Sequence, residues 1–192
     1  MNGNPNGLAW WLTGFTDGEG CFSLWKAWNR GQAEKAWRSV FVIGLRADDE
    51  PVLQEIRAYW GDIGRIHLWP SYAPASSNAK PTVDYRISSV EDLCRVVIPH
   101  FEQYPLRSKK QRDFAIWKQG TEHILRVKRR RHIPRIGESC GGYYPKWKPA
   151  DYDLLDGLSQ MLRDGRRFDG EAEGLVTDDA PIHPTLSLGV DP

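Results

Sequence analysis

Between Leu8 and Leu24 the spacing of apolar side chains changes from the repeat of a helix to that of a strand, and two glycines mark the change. Leu8, Trp11, Leu12 and Phe15 recur at i, i+3, i+4 and i+7, the stripe of a helix with one buried face. Asp17-Gly18-Glu19-Gly20 follows, and its glycines are expected to end that helix. Beyond them Phe22 and Leu24 alternate with Cys21, Ser23 and Trp25, which is strand parity. The chain is therefore built from both kinds of element.

The same pattern continues downstream. After a polar turn from Asn29 to Lys35, Arg38 to Arg46 reads as a second strand with Phe41, Ile43 and Leu45 on one face. Asp48 to Trp60 opens with acids, carries Pro51 in its first turn and spaces Val52, Leu53, Ile56 and Tyr59 helically. Gly61 and Gly64 break it before two further strands, Arg65 to Trp69 and Thr82 to Ser88. Ser88 or Ser89 caps a helix that starts near Val90 and reaches about Gln103. A longer helix, Ser108 to about Leu125, is anchored by Phe114, Ile116 and Trp117. A last one, Ala150 to Leu162, is marked by Tyr152, Leu155, Leu158 and Leu162. Hairpins separated by helices predict an α+β fold, an antiparallel sheet covered by helices on one face.

Composition narrows the partners. With 40% apolar residues in 192 the chain can build a core. No apolar run approaches the roughly 18 residues of a membrane span, and no basic-then-apolar leader precedes the first helix, so no membrane partner is expected. Cys21, Cys94 and Cys140 form no close pair, against both a disulfide framework and a multi-cysteine zinc site. The formal charge of +1 hides an asymmetry. Residues 169–192 carry six acids and no Lys or Arg, leaving 26 basic against 19 acidic residues elsewhere, a balance of +7. Between Tyr104 and Arg135 eleven Lys or Arg face only Asp113 and Glu122. Such a concentration reads either as the footprint of a polyanionic partner or as an exposed charged helix.

The stretch Leu12-Thr13-Gly14-Phe15-Thr16-Asp17-Gly18-Glu19-Gly20 closely resembles the nine-residue signature of the LAGLIDADG homing endonucleases. Phe41 to Arg46, the Leu53/Ile56 helix, Gly61-Asp62-Ile63-Gly64-Arg65-Ile66 and Tyr104-Pro105-Leu106-Arg107-Ser108-Lys109-Lys110 follow in that family's order and spacing, so the resemblance covers roughly residues 8 to 125. It implies the αββαββα fold, a saddle-shaped antiparallel sheet under helices, as a core over 1–127. A basic connector and helical extension over 128–168 and an acidic, disordered tail over 169–192 complete the expected organisation.

The resemblance also implies a function: site-specific, Mg²⁺-dependent hydrolysis of one phosphodiester on each strand of double-stranded DNA. Glu19 is the implied metal ligand, with Gly18 beside it, and a divalent cation would offset the cost of a carboxylate at the negative end of a helix. Asp17 supports the site, and Lys109 falls where relatives place a basic residue near the scissile phosphate, with Lys110 its rival. Leu45 stands where many active relatives carry a polar residue. A single copy of the signature implies a homodimer through the signature helix, with Leu12, Thr13, Gly14 and Thr16 at the contact, and a nearly palindromic target. The echo at Phe168-Asp169-Gly170-Glu171 lacks a preceding apolar stripe and is not a second copy.

Sheet parity then assigns a recognition surface. With Phe22, Leu24, Phe41, Ile43, Leu45, Ile66, Leu68, Tyr85 and Ile87 under the helices, Ser23, Trp25, Asn29, Arg38, Arg46, Arg65, His67 and Arg86 face DNA. Trp69, Asp84 and Ser88 share that parity. His67 reads as a surface or phosphate contact, because no other His or Cys stands at ligand spacing. Lys110 at the helix start reads otherwise as a contact to backbone phosphate, and the run Lys128-Arg129-Arg130-Arg131 either grips flanking backbone or forms a solvated connector. The alternative function is a non-cleaving nucleic-acid binder of the same fold, an intron RNA maturase or transcription regulator. The expected location is intracellular, in cytoplasm or nucleoid, or in an organelle if the gene is organellar.

Overall fold

The computed structural model describes residues 5–28, 35–70, 80–130 and 147–165. Asn29, Arg131 and the acidic tail lie outside them. The elements are α1 (Pro5–Glu19), β1 (Gly20–Trp28), β2 (Lys35–Arg46), α2 (Glu50–Tyr59), β3 (Arg65–Trp69) and β4 (Thr82–Ile87). Then come α3 (Val90–Asp92), a π turn (Leu93–Val97), α4 (Ile98–Gln103), α5 (Lys110–Arg129) and α6 (Pro149–Asp164). Among the described residues no helix is long and apolar enough to cross a membrane.

Helix α1 runs through Gly18 to Glu19, within the stretch where the glycines were expected to end it, and passes into β1 at Gly20 without a loop. Gly20 makes that junction possible. A Cβ there would lie 2.4 Å from Thr16 Cγ2 and 2.9 Å from the Thr16 carbonyl, inside van der Waals contact. The helix beginning at Val90 holds its predicted span but widens into a π turn just before Pro99, whose ring cannot donate the bond an α-helix requires there. Ser89 caps it, accepting from the Asp92 amide.

The four strands are antiparallel in the order β1-β2-β4-β3. The register puts Phe22 opposite Phe41, Phe41 opposite Ile87 and Ile43 opposite Tyr85, so one face of the sheet is continuously apolar. Leu53, Ile56, Leu93, Val97, Phe101, Phe114 and Trp117 pack onto that face from the helices. Phe22 lies at the centre, with ring centroids 5.0 Å from Trp117 and 5.6 Å from both Phe101 and Phe114. Leu68 shares this parity but is 59% exposed, contrary to its expected burial. Strand β3 is the sheet edge, and of its five residues only Ile66 packs against the core.

Helix α6 closes the opposite edge. Ser159 donates to the Leu24 carbonyl at 3.1 Å, Tyr152 donates to the Lys35 carbonyl at 2.9 Å, and Lys26 pairs with Asp156 at 2.7 Å. The free backbone of β1 is thereby covered, which protects an edge strand from unwanted pairing. Leu155, Leu158 and Leu162 join the main core, and Gly120 of α5 leaves room for the Leu24 side chain against Leu155. Asp151, 3% exposed, holds the start of α6 to the end of α5. It accepts two bonds from Arg130 at 2.5 and 2.9 Å, is 2.8 Å from His123 Nε2, and accepts from the Lys148 amide at 2.8 Å.

Candidate active site and nucleic-acid interface

The C-terminal end of α1 carries two carboxylates, Asp17 and Glu19, where the helix dipole is negative. The fold answers with a cation. Lys110, the first residue of α5, donates its ammonium to the Thr16 carbonyl at 3.1 Å and the Gly18 carbonyl at 2.7 Å, two of the groups α1 leaves unpaired. Lys109, the other lysine considered for this place, is exposed at the N-cap of α5. Successive helical residues point about 100° apart, so only one of the two lysines can meet α1. Burial pushes the Lys110 ammonium below its ordinary pKa, against the pull of Asp17, Cys21, Glu19 and Asp113.

Asp17 is turned away from the open surface. Its carboxylate accepts from the Arg107 amide at 2.9 Å and from the Ser108 amide and hydroxyl at 3.2 and 2.7 Å. Partial burial raises its pKa, but these bonds and the Lys110 charge outweigh that and hold it below the usual carboxylate value. Asp17 thus ties the end of α1 to the loop that precedes Lys110. Glu19 is exposed. The Gly18 carbonyl accepts Lys110 and keeps a second lone pair.

Three residues expected at a helix–helix contact face inward. Leu12, Thr13 and Thr16 are 0%, 3% and 0% exposed and belong to the chain's own interior. Thr13 spends its single proton on the Tyr104 carbonyl at 3.0 Å and so accepts from His100 Nε2, 3.4 Å away. The outer face of α1 is instead Gly7, Trp10, Trp11, Gly14 and Gly18, all exposed. Trp11 stacks on Phe15 with centroids 4.9 Å apart, and a Cβ at Gly14 or Gly18 would meet nothing within 4 Å. The glycines of this row stand at the spacing of one helical face, a signal readable in the sequence alone.

The sheet face away from the helices carries the expected alternation. Trp25 is opposite Arg38, Arg65 opposite Arg86, His67 opposite Asp84 and Arg46 opposite Thr82. Ser23 lies on this face at the Val40 position, with its hydroxyl 3.4 Å from Cys21 Sγ. Arg46 pairs with Asp48 at 2.6 Å. Asp84 accepts from both Arg86 at 2.9 Å and the Trp69 indole at 3.0 Å, a pairing that parity alone did not reveal. Leu45 is on the helix side, opposite Val83, and does not reach this surface. Lys128 and Arg129 do not reach it either. They end α5, which packs under the sheet, and Lys128 sits 3.7 Å from Glu91 in that helical layer. Their basic run is continuous with α5, so its side of the sheet was decided by helix packing.

The sequence pattern of the LAGLIDADG endonuclease family matches residues 12–120. A Neurospora crassa protein named "Probable intron-encoded endonuclease 3" is 34% identical over 117 residues, 60% of this chain and 20% of that protein. The "Uncharacterized 50.9 kDa protein in ND4 intron 1" of Podospora anserina is 33% identical over 132 residues, 66% of this chain and 26% of that protein. Among solved structures, the LAGLIDADG meganuclease I-CpaMI bound to uncleaved DNA is 34% identical, with a TM-score of 0.52 over 65% of this chain and 38% of that one. I-SmaMI bound to its uncleaved DNA target in the presence of calcium ions shares the fold, with a TM-score of 0.61 over 87% of this chain and 47% of that one at 21% identity. The chain spans about a quarter or less of these two curated relatives and under half of these two solved ones. Since the family pattern takes in more than half of the sequence and the sheet and helices share the fold of these meganucleases, the chain belongs to the LAGLIDADG endonuclease family.

Proposed function

We propose that this chain is one half of a homing endonuclease that cuts both strands of a long, nearly palindromic DNA site. The observation that carries the reading is the Lys110 ammonium held on the Gly18 carbonyl, next in sequence to the exposed Glu19 at the C-terminal end of α1, together with a sheet face bearing Arg38, Arg46, Arg65 and Arg86. DNA would lie on that face, with Ser23, Trp25 and His67 among the side chains meeting it.

Among the described residues no three His, Cys, Asp or Glu side chains converge on a metal site. Glu19 and the spare lone pair of the Gly18 carbonyl are hard oxygen donors, which suit Mg²⁺ better than softer ions. They would be completed by phosphate oxygens and by Glu19 of a second copy. When bound, the cation supplies charge stabilisation at the phosphate. Lys110 brings its ammonium to the same end of α1, where it would neutralise charge developing on the phosphate or hold the attacking water. Asp17 keeps Lys110 in place through the Arg107–Ser108 loop.

A second copy would dock on Trp10, Trp11, Gly14 and Gly18. Two glycines at i, i+4 with open space before them let another helix approach closely, and an isologous contact generates a twofold dimer. A C2 reader requires a target with matching symmetry. An organelle, or the intracellular compartment of an intron-bearing gene, would be its place of action.

Selection from a randomised duplex pool in Ca²⁺ should enrich a nearly palindromic consensus, which Mg²⁺ then converts to cleaved product. Glu19→Gln should bind that consensus and leave it intact. Retained cleavage by Glu19→Gln would overturn the metal assignment. Enrichment without cleavage by the wild type would favour the non-cleaving reading, and enrichment of intron RNA in a parallel pool would favour a maturase.

A further inference from the structure

We infer that α6 is a second DNA-contacting element, which places Arg163 against a backbone phosphate at the outer wall of the groove. The inference rests on the DNA-binding reading above. It comes from a cleft of about 540 Å³ whose wall is shared by the open sheet face and the last turns of α6. Its sheet side is Cys21, Ser23, Trp25, Val40, Val42 and Arg86, and its helix side is Ser159, Leu162 and Arg163. The strand residues other than Leu24 have the parity of the surface facing DNA. Helix α6 therefore closes the β1 edge and also raises a rim beside the strands that read the groove.

Arg163 is held ready on that rim. Its Nη1 donates to Ser159 Oγ at 3.1 Å, while Nε and Nη2 donate to Gln160 Oε1 at 3.2 and 2.8 Å. Ser159 is itself tied to the β1 backbone at Leu24, so the guanidinium is indirectly fixed to the sheet. Both acceptors are neutral. Among the described residues, no carboxylate lies within ion-pair distance of Arg163. By contrast, Arg46, Arg86 and Lys26 already face Asp48, Asp84 and Asp156. An exposed, pre-oriented and uncompensated guanidinium over a cleft that also contains Arg86 matches a phosphodiester oxygen, which Arg can bind bidentately. The end of α6 lies beside the first turn of α5, since a Cβ at Gly165 would lie 2.8 Å from Arg112 Nη1.

The test uses the full chain and a mixed-sequence 40-base-pair duplex in Ca²⁺, titrated over a salt series. Wild type, Arg163→Gln, Arg163→Lys and Arg95→Gln are compared, the last carrying its change in the helical layer beside Asp92. Arg163→Gln should weaken binding on the order of fivefold and reduce the slope of log K against log salt by about 0.9, the signature of one lost phosphate contact. Arg163→Lys should keep most of the slope, Arg95→Gln should match wild type, and all four should melt together. Equal affinity and slope for Arg163→Gln and wild type would overturn the inference. So would an equal loss in the Gln and Lys variants with the slope unchanged, which would mean a packing role. Failure of the wild type to bind any duplex would instead remove the DNA-binding reading itself.

Discussion

Replacing Asp151 by Asn should loosen α6 from the rest of the protein. The carboxylate is 4% exposed, receives Arg130 at two oxygens, His123 Nε2 and the Lys148 amide, and sits where α6 begins. Burial raises its pKa, but the bonds from Arg130, Lys148 and His123 prevail and pull it from 3.8 to about 2. Each pKa unit corresponds to about 1.4 kcal/mol, so the ionised form gains on the order of 2–3 kcal/mol on folding. The depressed value means this stability is fully present above pH 3.8 and is lost as pH falls towards 2. Asn keeps the shape but not the charge. Removing one partner of a buried pair can cost roughly 3–5 kcal/mol. Arg130 is 35% exposed and can recover water, so a loss of about 2–3 kcal/mol is expected near pH 7. Urea unfolding should show that loss with an unchanged m-value, and the melting temperature should fall by about 5–10 °C. A cycle with Arg130→Gln should return a coupling of roughly 1–2 kcal/mol. A change under about 0.5 kcal/mol, or strictly additive single variants, would refute the view that this pair docks α6.

Burial drives His100 down from 6.5 to about 4, so folding should lose about 3 kcal/mol as pH falls from 6.5 to 4. His100→Gln should flatten that part of the stability profile, as urea titrations at several pH values would show. Gly20→Ala should destabilise by about 1–3 kcal/mol, because its Cβ meets the Thr16 carbonyl, which cannot swing aside. Thermal unfolding would measure this, and an unchanged melting temperature would contradict the close approach at the helix–strand junction. Under the proposed function, Lys110→Met should lower single-turnover cleavage on the order of 100-fold while Lys109→Met stays within a few-fold. The reverse order would restore Lys109 to the site.

The alternation of Phe22 with Ser23 and of Phe41 with Val42 is enough by itself to determine which sheet face is apolar, because a strand's side chains alternate whatever else it touches. The helical stripes and the glycines between Phe15 and Cys21 likewise determined where a helix gives way to a strand. Local pattern also brought out the signature and its acids. It could not say which of Lys109 and Lys110 reaches α1, since that depends on the rotation of a helix packed 90 residues away in sequence. Nor could it show that Asp17 is spent on the Arg107–Ser108 loop, or that Thr13 turns inward to His100 while the glycines of α1 turn outward. The side of the sheet reached by Lys128 was decided by α5, and the place of Arg163 by the closure of β1 by α6. Periodicity is local to one element and survives in the linear order of residues. Charge partners and rims arise where separate elements meet, and only packing of the whole core specifies those meetings.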